Sequence, residues 1–330
     1  MRKAFAVSAL ALLCLGGLAQ AVTIETVPVA DPGNAADTRY ETPGYGAVGY
    51  TYKIGKYEVT AGQYTDFLNK VAKTDTYRLY NTWMSDTDYG SGITRSGASP
   101  SYTYSVATDF INRPVNYVSW GDSARFANWL HNGQPTGLQV ASTTEDGAYY
   151  LNGAITDAAL NAVTRKAGWT WAITSEDEWY KAAYHKGGTS NAYWDYPTSS
   201  NTAPGRDMAD ASGNNANYWG APYPIDSGKY TTVAGEFQNS DSPYGTFDQG
   251  GNVFEWNDTI VSGAYRGLRG GSFDDGGSYL RALNRNLITP TNESYDIGCR
   301  VSQVVVPEPA SVLVLGSGIL ALAGLIRRRR

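Results

Sequence analysis

Residues 244–258 read YGTFDQGGNVFEWND and contain two carboxylates on either side of a glycine pair. Asp248 and Glu255 lie seven residues apart and flank the pair Gly250-Gly251. Glycines allow a tight turn in which backbone carbonyls point inward, and carboxylates with carbonyl oxygens are the ligands that Ca²⁺ prefers. The same pattern is typical of a plain turn that leads into a strand, with Val253 packed in the core. The stretch therefore predicts a turn before a buried strand, with a calcium loop as one of two interpretations.

Three short helices are predicted before this stretch. Each begins with a Ser or Thr that can cap the first turn, followed three residues later by Gln, Asp or Glu. The caps are Thr60, Ser119 and Ser175. Apolar residues then recur with helical spacing. A strand over residues 52–59, bent at Gly55, precedes the first helix. The remainder has no helical periodicity, so we predict an α+β fold with three short helices and much irregular structure.

The N-terminus has the pattern of a secretion signal. Arg2 and Lys3 precede an apolar run over residues 4–18, and Ala19-Gln20-Ala21 matches a small-residue cleavage site. We therefore predict a signal peptide over residues 1–21, cleaved between Ala21 and Val22. A membrane anchor is the alternative interpretation, for which the apolar run is short.

The C-terminal segment 304–330 is predicted to direct sorting. Pro307-Glu308-Pro309 is followed by an uncharged stretch over residues 310–326 and then by Arg327–Arg330. The stretch is long enough to span a membrane, and the arginines would stay in the cytoplasm. A buried core helix is the alternative. This order of parts resembles the PEP-CTERM sorting signal, which implies transient anchoring in the inner membrane, processing by an exosortase-type protease, and delivery to the cell surface or extracellular matrix.

Charge and cysteine content exclude several classes of protein. The chain has 26 basic and 31 acidic residues. Without the two bases of the signal, and without the four bases and one acid of the tail, 20 basic and 30 acidic residues remain. Such an acidic body without a basic run is not expected to bind nucleic acid. Of the two cysteines, Cys14 lies in the signal, so Cys299 has no partner for an internal disulfide.

Seven segments, in order along the chain, resemble the formylglycine-generating enzyme family, also called the sulfatase-modifying factor family. They are residues 54–69, 113–130, 174–184, 244–258, 268–275, 280–286 and 297–301. The resemblance covers residues 50–303 and leaves residues 22–49 as an N-terminal lead-in. It implies the family's variant of the C-type-lectin fold, in agreement with the α+β prediction.

The catalytic residues that the resemblance implies are missing. The oxidases of this family bind copper through two cysteines, three and eight residues after the Ser of an R-G-G-S motif. Counting from Ser272 gives Asp275 and Leu280, and neither offers a thiolate. We therefore expect no copper to bind, and we assign no catalytic residue. Relatives with non-heme iron use histidines, and this body has only His131 and His185, both at predicted helix ends.

The resemblance also implies structural calcium. The calcium loop of the family corresponds to Asp248, Gly250, Gly251, Val253 and Glu255. A second family site corresponds to Asn217, Tyr218 and Asp226.

Together these features predict an exported, surface-sorted and non-catalytic module. We expect it to bind an extracellular carbohydrate or protein through aromatic-rich loops, because Tyr and Trp give contact area at low entropy cost. Its other expected partners are the secretion machinery and the exosortase-type protease. The alternative is an oxidoreductase, of the formylglycine-generating or the non-heme-iron type, with an unrecognised metal centre.

Overall fold

The computed structural model describes residues 21–188, 191–226 and 228–304. The predicted signal peptide up to residue 20 and the sorting motif at residues 307–309 lie outside the described residues. Within the described ranges, no helix is long and apolar enough to cross a membrane. The predicted span at residues 310–326 lies outside them as well.

Three of the four described α-helices confirm the predicted ones. The helices are α1 (Ala61–Val71), α2 (Trp120–His131), α3 (Asp157–Asn161) and α4 (Glu176–Tyr184). Capping boxes at Thr60, Ser119 and Ser175 start α1, α2 and α4, with both reciprocal hydrogen bonds present in each. The prediction missed α3, because a helix of five residues is too short for an amphipathic repeat.

Ten short strands form three sheets in the described part of the chain. They are β1 (Thr26–Val29), β2 (Tyr52–Gly55), β3 (Ile93–Ser96), β4 (Thr103–Val106), β5 (Trp171–Ile173), β6 (Phe254–Val261), β7 (Tyr265–Arg269), β8 (Asn286–Ile288), β9 (Ile297–Cys299) and β10 (Val301–Gln303). Strands β3 and β4 form a separate hairpin. Between the strands run single turns of 3₁₀-helix at Thr82–Ser85, Thr108–Phe110 and Gly277–Leu280, and of π-helix at Ala141–Glu145.

The two larger sheets meet close to the segment over residues 248–255. One sheet has the order β1-β2-β10-β5 and is antiparallel throughout. The other has the order β8-β7-β6-β9, in which β6 and β9 run parallel and pair Glu255 with Gly298. Because β9 leads directly into β10, the chain passes from one sheet to the other at Arg300. The lead-in over residues 22–49 supplies β1, so it takes part in the first sheet.

Aromatic side chains fill the core. Trp120, Trp129, Trp179 and Trp256 are all fully buried. Cys299 is also fully buried in the main core, as predicted for a small apolar residue. Burial raises the pKa of its thiol to about 12, which keeps it protonated and unreactive.

The predicted strand over residues 52–59 is shorter in the structure. Strand β2 ends at Gly55, the position of the predicted bend. A side chain at Gly55 would meet the Tyr57 carbonyl oxygen 2.9 Å away, so the tight bend requires glycine. The bend directs Glu58 into the interior, where its side chain is fully buried.

Candidate ligand-binding surface and cation loop

The segment over residues 248–255 is a tight turn that leads into β6. Asp248 and Gly251 both have left-handed backbone conformations, with φ of +60° and +90°. A side chain at Gly251 would clash with the carbonyl of Asn217, so only glycine allows this approach. The Asn252 N–H donates to that same carbonyl at 2.9 Å. The turn thus brings together the two segments in which calcium ligands are predicted.

Asp248 has the properties of a cation ligand. Its Oδ2 accepts the Gly235 N–H at 2.6 Å. Burial raises the pKa of this carboxyl to about 6. The side chain of Val253 is fully buried, and Gly250 packs so closely on the Pro197 ring that a Cβ would lie 2.6 Å from it. The Asp248 carboxylate offers the kind of oxygen ligand that a hard cation takes, and its part in a calcium site stays a prediction.

Glu255 has another role in the structure. Its carboxylate is fully buried and accepts from Arg300, with Nη2 2.7 Å from Oε1 and Nε 2.9 Å from Oε2. The Trp179 indole N–H donates to Oε2 at 2.6 Å. Both oxygens are therefore already engaged by a cation and a neutral donor. The direct partner of Glu255 is therefore Arg300, and its part as a calcium ligand stays a prediction.

The residues of the second predicted site have separate partners. The Asn217 amide donates to the Tyr230 carbonyl at 2.8 Å and to Asn252 Oδ1 at 3.0 Å, which holds it against the turn. The Tyr218 hydroxyl donates to the Pro204 carbonyl at 2.6 Å. Asp226 forms an ion pair with Arg113. In the described part of the chain, no three His, Cys, Asp or Glu side chains cluster in a way that could hold a metal ion.

A cluster of tyrosines lies on the surface beside this turn, and we call it the tyrosine surface: Tyr89, Tyr223, Tyr230 and Tyr295. Tyr89 and Tyr230 stack with ring centroids 4.0 Å apart. Asp274 is exposed and accepts the Tyr223 hydroxyl at 2.8 Å and the Tyr295 hydroxyl at 2.7 Å. Buried Phe273 packs against Tyr89, Tyr230 and Tyr295 from below. These contacts fix the rings in place.

Two exposed tryptophans come from segments joined to the tyrosine surface. Trp219 is 57% exposed, and its backbone N–H donates to the Asp275 carbonyl at 2.8 Å. Trp83 is 63% exposed and lies in the loop that leads to Tyr89. Large exposed aromatic side chains mark contact surfaces when they cluster.

Comparison with known proteins identifies the family. The model of the sulfatase-modifying factor enzyme 1-like domain matches residues 20–304. The chain belongs to this sulfatase-modifying factor family. A search of curated protein sequences gives no match.

Several solved structures have a similar fold. CarF is 21% identical with a TM-score of 0.50, and the match covers 86% of this chain and 99% of CarF. Treponema denticola variable protein 1 is 17% identical with a TM-score of 0.46, covering 87% and 99%. PvdO from Pseudomonas aeruginosa is 16% identical with a TM-score of 0.45, covering 85% and 94%. The likeness to CarF confirms the α+β, C-type-lectin-like fold.

The two positions that correspond to cysteines of the family's oxidases have structural roles here. Asp275 closes a turn, because its Oδ2 accepts both the hydroxyl and the N–H of Ser272, the latter at 3.1 Å. Leu280 is fully buried and packs against Gly271. Neither side chain can act as a thiolate. The turn that carries Asp275 also carries Asp274, which accepts two hydroxyls of the tyrosine surface.

The two histidines lie at helix ends, as predicted. His131 is the last residue of α2, and its Nδ1 accepts the Thr170 N–H at 3.0 Å. Burial lowers the pKa of His131. His185 follows α4, and its Nδ1 lies 2.7 Å from the Tyr244 hydroxyl. Their hydrogen bonds join them to different parts of the fold.

Sequence reasoning missed both the tyrosine surface and the role of Arg300. The four tyrosines come from segments far apart in the chain, so no spacing pattern joins them. The available signal was the unusual aromatic content, with 25 tyrosines and 9 tryptophans.

Proposed function

We propose that this chain is an exported, non-catalytic member of the sulfatase-modifying factor family that binds an extracellular carbohydrate or protein through the tyrosine surface. One observation carries the proposal. The turn where the resemblance places the first oxidase cysteine holds Asp275 as a turn-closing group and presents Asp274 to the tyrosine hydroxyls. The proposed recognition surface thus includes the turn where the resemblance places the first oxidase cysteine.

The construction of this surface favours recognition. Tyrosine rings supply contact area at low entropy cost, and their positions here are held by Asp274 and Phe273 before any ligand arrives. Each hydroxyl that donates to Asp274 keeps its oxygen as an acceptor for a donor on the ligand. Exposed Trp219 extends the apolar area next to it.

Calcium would stabilise the support beneath this surface. Asp248 and the carbonyls of the glycine turn would hold the ion, which would supply a fixed positive charge and no reaction chemistry. The Asn217 side chain connects this turn to the Tyr230 backbone at 2.8 Å. If calcium held the turn more rigidly, the stacked ring of Tyr230 would therefore be held more rigidly as well.

Export and surface sorting are supported by the two ends of the sequence. The structure adds one observation at Val22, the residue after the predicted cleavage site. Gln134 binds its backbone on both sides, accepting from the N–H at 2.7 Å and donating to the carbonyl at 2.7 Å. A mature chain that begins at Val22 would keep its first residue bound. The exosortase-type protease and the membrane anchoring belong to the same proposal.

A binding array with matched variants tests the recognition role. The purified protein is applied to immobilised carbohydrates and extracellular matrix proteins, alongside Tyr223→Ala and Tyr265→Ala. Tyr265 is 38% exposed and begins β7, away from the tyrosine surface, so it serves as the control. We expect Tyr223→Ala to weaken binding of the retained ligand about tenfold, a loss of about 1.4 kcal/mol typical of an aromatic anchor. Equal affinity of Tyr223→Ala and the wild type would contradict the proposal.

A further inference from the structure

A cavity of about 330 Å³ lies at the N-terminal end of α2. Its wall combines two acidic side chains, Asp122 and Glu293, with the apolar side chains of Tyr77, Ile155 and Leu160. None of the residues that line it belongs to the tyrosine surface. Pockets for small molecules begin at about 300 Å³, so this cavity has room for one small ligand.

Asp122 supplies the cavity with an oxygen that has no partner. The residue is only 3% exposed. Its Oδ2 accepts the N–H and the hydroxyl of Ser119, at 2.9 and 2.6 Å, in the capping box of α2. Among the described residues, no group donates to its Oδ1. Because Asp122 lines the cavity, this oxygen is available to a donor that enters it.

Glu293 supplies a second carboxylate of the same kind. The Asn81 amide donates to its Oε2, and no group in the described part of the chain donates to its Oε1. Burial, and next the Asp122 carboxylate, raise the pKa of Glu293 to about 8. Burial likewise raises the pKa of Asp122. Two carboxylates that repel each other across a cavity favour a positive charge between them.

The arginines beside the cavity do not neutralise this pair. Arg125 also lines the cavity, but its Nε and Nη2 donate to the Glu145 carboxylate at 2.7 and 3.0 Å. Arg78 is exposed, and its attraction for Glu293 is outweighed by the repulsion from Asp122. The cavity therefore keeps an excess of negative charge.

The wall of the cavity favours an organic cation over a metal ion. Ca²⁺ takes about six to eight oxygen ligands. Within the residues that the structure describes, no three His, Cys, Asp or Glu side chains come together to hold a metal ion. An alkylammonium group needs fewer acceptors, and its stem can lie along apolar side chains. Tyr77, Leu160 and the 59% exposed Ile155 offer such a surface.

We propose that this cavity binds a small primary amine, with its ammonium group between Asp122 and Glu293 and its apolar stem against Tyr77 and Leu160. The site is separate from the tyrosine surface and does not depend on a calcium ion. It gives the domain a second binding site, for a small cationic molecule.

Isothermal titration calorimetry with 2-phenylethylamine and its neutral isostere 2-phenylethanol tests this assignment. The wild type is compared with Glu293→Gln, Asp122→Asn and Glu25→Gln at about pH 8.5, where an alkylammonium group with a pKa of about 10 stays charged. Asparagine keeps an acceptor for the Ser119 N–H, so Asp122→Asn retains the start of α2. Glu25 lines a different cavity and is 60% exposed, which makes its variant the matched control.

We expect the wild type to bind the amine at least about tenfold more tightly than the alcohol, because only the amine brings a charge to the two carboxylates. Glu293→Gln and Asp122→Asn should each weaken amine binding about tenfold, and Glu25→Gln should leave it unchanged. Equal affinity of the wild type for the amine and the alcohol would overturn the proposal. Unchanged amine affinity in both cavity variants would overturn it too.

The pH dependence of amine binding separates a ligand contact from a structural role. The charged groups that face Glu293 are Asp122, Asp75 and Arg78, and Asp75 is paired with Arg95 at 3.1 Å. Glu293 loses its proton as the pH rises from about 6.5 to about 8.5, so the amine affinity of the wild type should rise at least about fivefold. Glu293→Gln should lose most of this rise. An equal rise in Glu293→Gln and the wild type would contradict contact between Glu293 and the amine.

Discussion

Replacing Glu255 with glutamine tests whether the buried ion pair with Arg300 holds the two large sheets together. Glu255 lies on β6, and Arg300 joins β9 to β10. Both side chains are fully buried. Glu255→Gln keeps the shape and an acceptor for the Trp179 N–H, so it removes chiefly the negative charge. Arg300 would then be buried without its hydrogen-bonded counter-charge.

The size of the effect follows from these contacts. Breaking a buried pair by removing one partner costs about 3–5 kcal/mol. Glu58 remains 3.8 Å from Arg300 as a partial counter-charge, so we expect the lower end, about 3 kcal/mol. This corresponds to a drop in Tm of about 6–12 °C, at about 2–4 °C per kcal/mol.

Urea unfolding followed by tryptophan fluorescence, with chelator present, measures this loss. The control is Glu25→Gln, which breaks the surface pair with Lys56 and should cost less than about 1 kcal/mol. The loss in Glu255→Gln should be similar with and without calcium, since the structure commits Glu255 to Arg300. A free energy of unfolding within about 1 kcal/mol of the wild type, or a loss seen only with calcium, would refute this reasoning.

Three further outcomes are expected. Burial and the nearby Asp122 carboxylate raise the pKa of Glu293 to about 8, so stability should fall as pH rises from about 4.5 to about 8, by up to about 1.4 kcal/mol per pH unit. Glu293→Gln should flatten that slope in urea titrations, and an unchanged slope would contradict the assignment. The Cys299 thiol should resist thiol reagents until the protein unfolds, and rapid labelling of the native protein would show that it is accessible. Intact-mass analysis from a host with the sorting protease should find a chain that begins at Val22 and lacks residues after about Pro309, whereas an uncleaved tail would count against sorting.

Local signals made the helices predictable from the sequence. A capping box consists of two hydrogen bonds within four residues, so Thr60, Ser119 and Ser175 specify helix starts without tertiary help. The turn before β6 was predictable as well, because Gly251 has a left-handed backbone conformation that glycine adopts without strain. The residues next to Cys299 in the sequence likewise predicted that it is a buried apolar residue.

Contacts between distant segments could not be predicted in this way. The ion pair of Glu255 could not be predicted, because its partner Arg300 lies 45 positions further on. Glu58 is no more conspicuous in the sequence than other glutamates, and only the fold shows that its buried carboxylate lies 3.8 Å from Arg300. The tyrosine surface likewise depends on how four separate segments pack around Phe273.

The measurement that tests the non-catalytic assignment most directly is mass spectrometry of a cysteine-containing sulfatase peptide after incubation with the purified protein, copper and oxygen. Formylglycine synthesis in this family is expected to need two cysteines, and Asp275 and Leu280 stand at those positions. We expect the peptide to keep its cysteine unchanged. Conversion of that cysteine to an aldehyde, absent when the protein is left out, would contradict a binding module and restore an oxidase.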